Sequence, residues 1–329
     1  MRTSARVQAL HHPSSLALPA LTPWLAAGAL LLAAAAARGQ EPPGPACSPG
    51  PLAVKPATSE RAPEALTEGA GPSFEDQVME IVNQERWNNG QLAPLKRHAL
   101  LDTSSELHST NMASRDFFAH CDPDTGTQSG GRMTAVGYIW NFASENIAAG
   151  YTTPTAVMAG WMASAGHRAN ILSTSANELG IGYFFQSGDA ANVRVDLNSD
   201  CVPESSNNGP YFHYWTQNFG RRSSNYPVVI NREAYQTSTP NVQLYLYGTG
   251  WATQMRLRNE TGTWTSWQTF SANVPWTLSA GGGVKTVNVE LRNAALTVLS
   301  ASDTIVLEGA PVNLIFSDSF ESGNTLAWQ

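Results

Sequence analysis

The sequence is short of charged residues and of cysteine. Only 14% of its 329 residues are Asp, Glu, Lys or Arg, and three are cysteine. So low a charge is unusual for a cytosolic protein, and Ser, Thr, Asn and Gln must carry much of the surface. The formal net charge is −7, and no run of Lys or Arg interrupts it. Because an acidic chain repels phosphate backbones, we expect no nucleic-acid partner.

Several enzyme signatures are also missing. The sequence contains no G-x-S-x-G, no H-E-x-x-H and no phosphate-binding glycine loop. Cys121 follows His120 directly, but a nucleophile and its base are normally assembled in space and not by adjacency. None of the three cysteines therefore has the context of a catalytic nucleophile.

The N-terminus has the pattern of a secretory signal over residues 1–39. Arg2 and Arg6 precede an apolar stretch over 16–37, which ends in small residues of the A-x-A type. The alternative is an uncleaved membrane anchor, because the stretch approaches the ~20 residues that span a bilayer. Two prolines and the terminal alanines favour cleavage. We therefore expect a secreted, extracellular protein with no transmembrane segment in the mature chain.

An exported chain can form a disulfide bond. Cys121 and Cys201 both fall in the central part of the chain and can pair in an oxidising compartment. Residues 40–72 are rich in Pro, Ala, Glu and Gly without periodicity, which predicts a flexible linker. Cys47 lies in this linker and has no obvious partner.

Residues 73–222 begin with helical patterns. Ser73 and Asp76 resemble a capping box at the start of a first helix. A second helix is predicted over 100–118, burying Leu107, Met112 and Phe117. A loop is predicted over 121–132.

Further along, the pattern changes from helix to strand. A Thr-Pro pair at 153–154 predicts a helix that ends at about residue 164. Alternating apolar residues then predict half-buried strands over 179–185 and 193–197, and a third strand over 212–219. Helices followed by strands indicate an α+β layered domain.

The segment 226–308 reads differently. Short alternating runs separated by Gly and Asn predict an all-β sandwich without helices, followed by a tail over 309–329. Its four tryptophans either fill a small core or stay exposed to stack on sugars, and alternation favours the core. They are Trp251, Trp264, Trp267 and Trp276.

Five ordered motifs in the central segment resemble the bacterial branch of the CAP superfamily, the cysteine-rich secretory, antigen 5 and pathogenesis-related proteins. The motifs are FFAH (117–120), ENIAAG (145–150), GWMASAGHRANIL (160–172), LGIGY (179–183) and YWTQNFG (214–220). The resemblance implies a three-layer α/β/α sandwich and an extracellular location. The following segment is similar to immunoglobulin-like modules of exported bacterial proteins.

The same resemblance implies a cavity with two His and two Glu. His120 and Glu145 match the first His and the first Glu. The other Glu is expected where Ser164 stands, and the other His near Tyr214. The full set of cavity candidates is His120, Glu145, Ser164, His167, Tyr214 and Gln217.

Three interpretations of His120 and Glu145 stay open. With His167 they can bind a divalent metal such as zinc. They can act as general acid and base in a metal-assisted, protease-like hydrolase. They can also form a purely structural hydrogen-bond network. His167 and Arg168 have a structural alternative too, because positive charge is favourable just past a helix C-terminus.

The alternating polar residues Asp196, Asn198 and Asp200 resemble the first ligands of a calcium-binding loop. The glycine and the final glutamate of such a loop are replaced by Cys201 and Asn207, so a solvated acidic loop is favoured.

For function, the sequence favours extracellular binding over catalysis. The expected ligand is a lipid or sterol-like molecule, as some relatives bind, or a cell-surface component. The alternatives are the hydrolase described above and a surface adhesin with two recognition domains.

Overall fold

The computed structural model describes residues 71–196 and 198–309. The N-terminal part contains five helices and seven strands among these residues. The helices are α1 (Phe74–Asn88), α2 (Ala99–Ser114), α3 (Ser129–Ala135), α4 (Pro154–Ala163) and α5 (Ala165–Ile171). The strands are β1 (Lys96–Arg97), β2 (Phe117–Phe118), β3 (Phe142–Ala149), β4 (Glu178–Phe185), β5 (Val193–Val195), β6 (Ser205–Asn208) and β7 (His213–Arg221).

Four of these strands form the central sheet, in the order β1-β4-β7-β3. The strands β3 and β4 both pair antiparallel with β7, whereas β1 pairs parallel with β4. Residues of α1 and α4 pack with Leu179, Ile181 and Trp215 on one face, and α2 lies on the other. The result is an α+β domain of three layers, as the sequence predicts.

Two glycines let α2 approach the sheet. A Cβ atom at Gly180 would collide with the backbone of Leu101, and one at Gly182 with the backbone of Ser105 and Glu106. Because no larger residue fits, this face of β4 is covered as completely as the Leu179–Ile181 face. The prediction of a half-buried strand is therefore wrong for residues 179–182, which are buried on both faces.

Local capping signals place two helix starts where the sequence predicts them. The Ser73 hydroxyl accepts from the Asp76 amide, and the Asp76 carboxylate accepts from the Ser73 amide. Thr153 caps α4 in the same way through the amide of Ala156, with Pro154 at the first helical position.

The second predicted helix is too long. The helix α2 ends at Ser114, and Phe117 lies in the short strand β2. Met112 and Phe117 are buried, but Leu107 is 44% exposed. The face of α2 that meets the sheet carries small side chains such as Ser105 and Ser109, which donate hydrogen bonds to β4. Leu107 lies on a different face of the helix and therefore points away from the sheet.

Two further corrections concern helices. The predicted loop over 121–132 contains the start of α3, which begins at Ser129. His167 and Arg168 lie inside α5 and not just past a helix end, because the chain turns at Ser164 and forms a second helix directly. The proposed C-terminal charge effect therefore does not apply to His167, which lies in the first turn of α5.

A second, three-stranded sheet of this part has the order β2-β5-β6. The disulfide between Cys121 and Cys201 joins the segments that follow β2 and β5, with the two Cα atoms 5.2 Å apart. The predicted pairing is therefore present.

The described residues that follow form an all-β sandwich. Its strands are β8 (Val228–Ile230), β9 (Gln236–Thr237), β10 (Asn241–Leu246), β11 (Gln254–Asn259), β12 (Gln268–Thr269), β13 (Asn273–Thr277), β14 (Gly283–Arg292) and β15 (Val298–Leu307). They form a sheet of order β13-β10-β8 and a sheet of order β12-β11-β14-β15-β9. All pairings are antiparallel except that of β15 with β9.

The core of this sandwich is aliphatic, with residues such as Leu244, Leu257 and Val289. None of its four tryptophans is fully buried. Trp251 and Trp276 pack at the margin of the core, whereas Trp264 and Trp267 stack on arginines of β11 and β14. The expectation that tryptophan fills the core is wrong for these last two, because Val and Leu already fill the narrow space between the sheets.

The two parts meet at a buried ionic cluster. The ammonium of Lys96 lies 2.6 Å from Glu233 and also pairs with Asp303. Nearby, the Tyr247 hydroxyl donates to the carbonyl of Pro94 at 2.9 Å.

Some predictions lie outside the described residues: the signal over 1–39, nearly all of the linker over 40–72 with Cys47, and nearly all of the tail over 309–329. Within the described part of the chain, no helix is both long and apolar enough to cross a membrane.

Candidate functional site

His120 and Glu145 come together where β2 ends beside the central sheet. His120 follows Phe118 by two residues, and Glu145 lies in β3 opposite Asn218 of β7. The strand period of two places Glu145, Asn218 and Gly180 on the sheet face that α2 covers. Glu145 is 6% exposed.

Both oxygens of the Glu145 carboxylate are engaged by neighbouring side chains. Oε1 lies 2.9 Å from Nδ1 of His120, and Oε2 accepts a hydrogen bond of 2.6 Å from Arg132. With its amide turned to satisfy both of its groups, Asn218 also donates to Oε2 at 3.1 Å. Burial raises the pKa of Glu145, but Arg132, His108 and His120 outweigh burial and lower the pKa to about 2. Glu145 is therefore ionised at neutral pH.

The ionised carboxylate determines which nitrogen of His120 carries the proton. A carboxylate of this kind only accepts, so Nδ1 of His120 donates to Glu145, and Nε2 is an acceptor when the ring is neutral. No partner for Nε2 occurs within residues 71–196 and 198–309. The His120 side chain keeps 16% of its area exposed. It therefore presents one oriented nitrogen to a ligand.

Arg132 is the central residue that the sequence patterns missed. Its guanidinium donates to the carbonyls of His120 (2.9 Å) and Thr127 (2.8 Å) as well as to Glu145. It thus holds the backbone of one partner and the side chain of the other. A buried carboxylate needs a cation as its partner, and this need is the only signal in the sequence. The spacing of Arg132 does not identify it as that cation.

His108 of α2 is a second residue that was missed. Its Nε2 lies 2.9 Å from the carbonyl of Ala119, and the side chain is fully buried. Burial, followed by the charge of Arg132, lowers its pKa to about 3. His108 is therefore neutral and holds the segment that carries His120.

His167 and Ser164 lie at the start of α5. His167 is 7% exposed, and its Nδ1 is buried with no hydrogen-bond partner in the described part of the chain. Burial and then the neighbouring His120 lower the pKa of His167 to about 4. Ser164 is the N-cap residue of α5, but its side chain makes no capping hydrogen bond.

The remaining candidates are engaged elsewhere. The Tyr214 hydroxyl donates to Asp189 at 3.0 Å. Gln217 lies on the opposite face of β7 and accepts from Asn146 at 3.0 Å. His213 also lies on the face opposite Tyr214, with Nδ1 2.8 Å from the Tyr183 hydroxyl. The structure therefore joins His120 and Glu145 directly, brings His167 near them, and gives Tyr214 and Gln217 other partners.

The arrangement does not fit a zinc ion. Zinc requires three or four ligand atoms that converge on one point. Among the described residues, ligand atoms of His120, Glu145 and His167 do not converge to within 4.8 Å of one another. Arg132 already occupies one carboxylate oxygen and supplies the positive charge that a metal would supply.

Three carboxylates that do converge are those of Asp196, Asp200 and Glu204, within 4.8 Å. Asp196 is buried and accepts from the amides of Ser199 and Cys201 at 2.7 and 2.9 Å. These backbone hydrogen bonds hold the acidic loop after β5 in place.

Comparison with known proteins gives matches to this same part of the chain. Residues 79–219 match the model of the CAP family, described as the cysteine-rich secretory protein family. The uncharacterized protein YkwD of Bacillus subtilis (strain 168) is 36% identical over 129 residues, which are 39% of this chain and 49% of that protein. The chain thus spans about half the length of this curated relative.

Solved structures resemble the chain only in part. One is an extracellular protein containing a SCP domain from Bacillus anthracis str. Ames, at 24% identity and a TM-score of 0.35 over 46% of this chain and 45% of that one. Another is an outer surface protein from Borrelia burgdorferi, at 14% identity and a TM-score of 0.36 over 47% of this chain and 99% of that one. The family match therefore agrees with the motifs of the sequence and indicates a CAP-type domain over residues 79–219.

Proposed function

We propose that the chain is an exported binding protein whose CAP domain receives an extracellular ligand at His120. The pattern of residues 1–39 and the Cys121–Cys201 disulfide support export, because disulfides persist in oxidising compartments. The observation that supports a binding role is that both carboxylate oxygens of Glu145 already have partners. Its oxygens are engaged by His120 and Arg132, which leaves Nε2 of His120 as the group that is open to a ligand.

The ligand class follows from this geometry. An oriented imidazole nitrogen that accepts one hydrogen bond suits a molecule with a single hydroxyl group. A sterol-like lipid carries one such hydroxyl, on an apolar body. Ala119, Phe117, Ile147 and Tyr214 behind His120 are buried in a core cluster, so the apolar body would lie on the surface around His120.

The test uses the full chain and the fluorescent sterol dehydroergosterol, with a fatty acid as a second probe. We expect saturable sterol binding that His120→Ala weakens at least about tenfold, because one buried hydrogen bond is lost. His213→Ala is the matched control, since His213 lies on the opposite face of β7. Equal sterol binding by all three proteins, or no binding of either probe, would contradict the proposal.

Metal content is checked in the same preparation. Native mass spectrometry of protein purified without chelator or affinity-column metal is expected to give the mass of the chain without a divalent ion. An added mass of one zinc ion that disappears in His120→Ala would contradict the proposal that the Glu145 carboxylate is not available to a metal. It would then favour the metal-binding interpretation.

Hydrolysis is the second candidate, and one observation favours it. Glu145 orients His120 through Nδ1, which is how a carboxylate prepares an imidazole to act as a general base on water. The test is cleavage of a peptide library at neutral pH. Activity that is lost in both His120→Ala and Glu145→Gln, and kept in His213→Ala, would replace the binding proposal.

A further inference from the structure

A ladder of alternating arginine and tryptophan side chains covers the outer face of the five-stranded sheet. The guanidinium of Arg256 lies 5.0 Å from the ring of Trp264 and 4.7 Å from that of Trp267. Arg258 caps Trp264 at 4.5 Å, and Arg292 caps Trp267 at 4.2 Å. The order along the ladder is therefore Arg258, Trp264, Arg256, Trp267 and Arg292. Such cation–π contacts hold each planar group in a fixed position.

The three arginines differ in their polar partners. Arg256 pairs with Glu290 at 2.5 Å, and Arg292 donates to Gln254 at 2.7 Å. Arg258 has neither an ion-pair nor a hydrogen-bond partner among the described residues, and its Nε is buried without an acceptor. Glu260, the closest acidic residue in sequence, accepts from the Thr286 amide at 3.1 Å. Arg258 is therefore a cation that lacks a counter-charge within the described part of the chain.

Arg258 also lines an open, solvent-exposed cavity of about 540 Å³ next to strands β11 and β13. This volume is typical of small-molecule sites. Other residues that line the cavity are Asn259, Thr263, Pro275, Trp276 and Thr277. The cavity thus combines one unpaired cation, one large aromatic ring and several hydroxyl and amide groups.

The aromatic ring is held rigidly. The indole N–H of Trp276 donates to Oδ1 of Asn259 at 2.6 Å, and Nδ2 of Asn259 donates to the carbonyl of Thr277 at 2.9 Å. Because Arg258 is fixed by the ladder and Trp276 by Asn259, little side-chain entropy would be lost on binding.

From this cavity we infer a binding site for an acidic carbohydrate on the β-sandwich. The apolar face of a sugar ring packs on Trp276, and a carboxylate of the sugar pairs with Arg258, whose planar guanidinium fits a carboxylate with two parallel hydrogen bonds. Thr263 provides a hydroxyl group that can donate to a sugar oxygen, whereas the Thr277 hydroxyl, which already donates to Asn241 at 3.1 Å, can accept from a sugar hydroxyl. A peptide with a free C-terminal carboxylate would use Arg258 but has no need of the flat Trp276 surface.

Isothermal titration of the full chain with trigalacturonic acid tests this inference, and the fully methyl-esterified trisaccharide is the uncharged control of equal size. We expect the acid to bind and the ester to bind at least about tenfold more weakly, because one charge-assisted pair is lost. Arg258→Gln should weaken binding of the acid to the same extent, and Trp276→Ala should abolish it. Unfolding curves of each variant show that the fold is kept.

Two variants separate the cavity from other parts of the molecule. Arg292→Gln removes the opposite end of the ladder and is expected to leave binding unchanged, as is His120→Ala in the CAP domain. The inference is overturned if the acid and its ester bind equally, if Arg258→Gln binds like the parent protein, or if Arg292→Gln loses as much as Arg258→Gln. It is also overturned if neither trigalacturonic nor triglucuronic acid binds at millimolar concentration, or if a C-terminal peptide binds more tightly than both.

Discussion

The ammonium of Lys96 lies 2.6 Å from the carboxylate of Glu233, and this contact joins the CAP domain to the β-sandwich. Asp303 of β15 completes the cluster as the second partner of Lys96. Asp303 also accepts from the amide of Ile230 at 2.7 Å, and Glu233 accepts from the amide of Arg97 at 3.0 Å. The two acidic side chains therefore link backbone segments of both parts around one cation.

Removing that cation should be costly. Lys96→Met leaves Glu233 and Asp303 buried without their counter-charge, and we expect the free energy of unfolding to fall by about 3–5 kcal/mol. Chemical denaturation at pH 7 measures the change. The control is Arg221→Gln, an exposed cation of the CAP domain, which should alter stability by less than about 0.5 kcal/mol. A loss of similar size in both variants would show that the cluster contributes no more than surface charge.

The pH dependence of stability should carry a signature of Glu233. Burial, and then the neighbouring Asp303, raise the pKa of Glu233 to about 7 from 4.5, in spite of Lys96. Between these two values the folded chain holds a proton that the unfolded chain releases. Stability from this group is therefore present below about pH 4.5 and is lost as the pH rises to about 7, by no more than about 3 kcal/mol.

Glu233→Gln isolates this contribution. Denaturant midpoints of the parent and the variant, measured from pH 4.5 to 8, should converge at low pH and separate as the pH rises, with the parent becoming the less stable of the two. Parallel curves over the whole range would refute the raised pKa.

Three buried histidines should make the protein sensitive to acid. Burial lowers the pKa of His98 to about 4, that of His108 to about 3 and that of His167 to about 4. The unfolded chain binds these protons near pH 6.5, so stability falls as the pH drops below that value. Each histidine contributes a slope of up to about 1.4 kcal/mol per pH unit.

His108→Gln is the informative variant here, because the glutamine amide can still donate to the carbonyl of Ala119. We expect urea midpoints between pH 7 and pH 4 to fall less steeply in this variant than in the parent protein. An unchanged slope would mean that His108 is protonated in the folded state.

The disulfide should contribute measurably to stability. Cys121 and Cys201 are 80 residues apart, so their bond closes a long loop in the unfolded chain. Replacing both by serine should lower the free energy of unfolding by about 2–5 kcal/mol. Peptide mapping without reductant checks the bond in the parent protein, and free thiols at both positions would contradict it.

Features that depend on neighbouring residues in the chain could be predicted from the sequence. The capping box of Ser73 and Asp76 and the start of α4 at Pro154 are local signals, and both are correct. The C-terminal end of α2 has no such signal, and the prediction extends this helix too far. The short helices α3 and α5 also lack a signal and are not predicted. The family pattern singled out His120 and Glu145 because their motifs are ordered along the chain.

Features that depend on distant segments could not be predicted. Arg132 contacts Glu145 only because α3 folds back over β3, and nothing in the local sequence marks that contact. The burial of Gly180 follows from the position of α2, which alternation within β4 does not encode. Trp264 and Trp267 are apolar by type, but their arginine partners lie on strands that only the sheet brings together.

The guanidinium of Arg132 belongs to the chain itself, unlike an ion that must be acquired from the surroundings. A site with a built-in counter-ion stays assembled at any external concentration of zinc. An exported protein of this design would keep its His120 surface intact in media where chelators or competing cells hold free divalent ions scarce. Formation of the contact between His120 and Glu145 would then depend only on groups that the chain itself supplies.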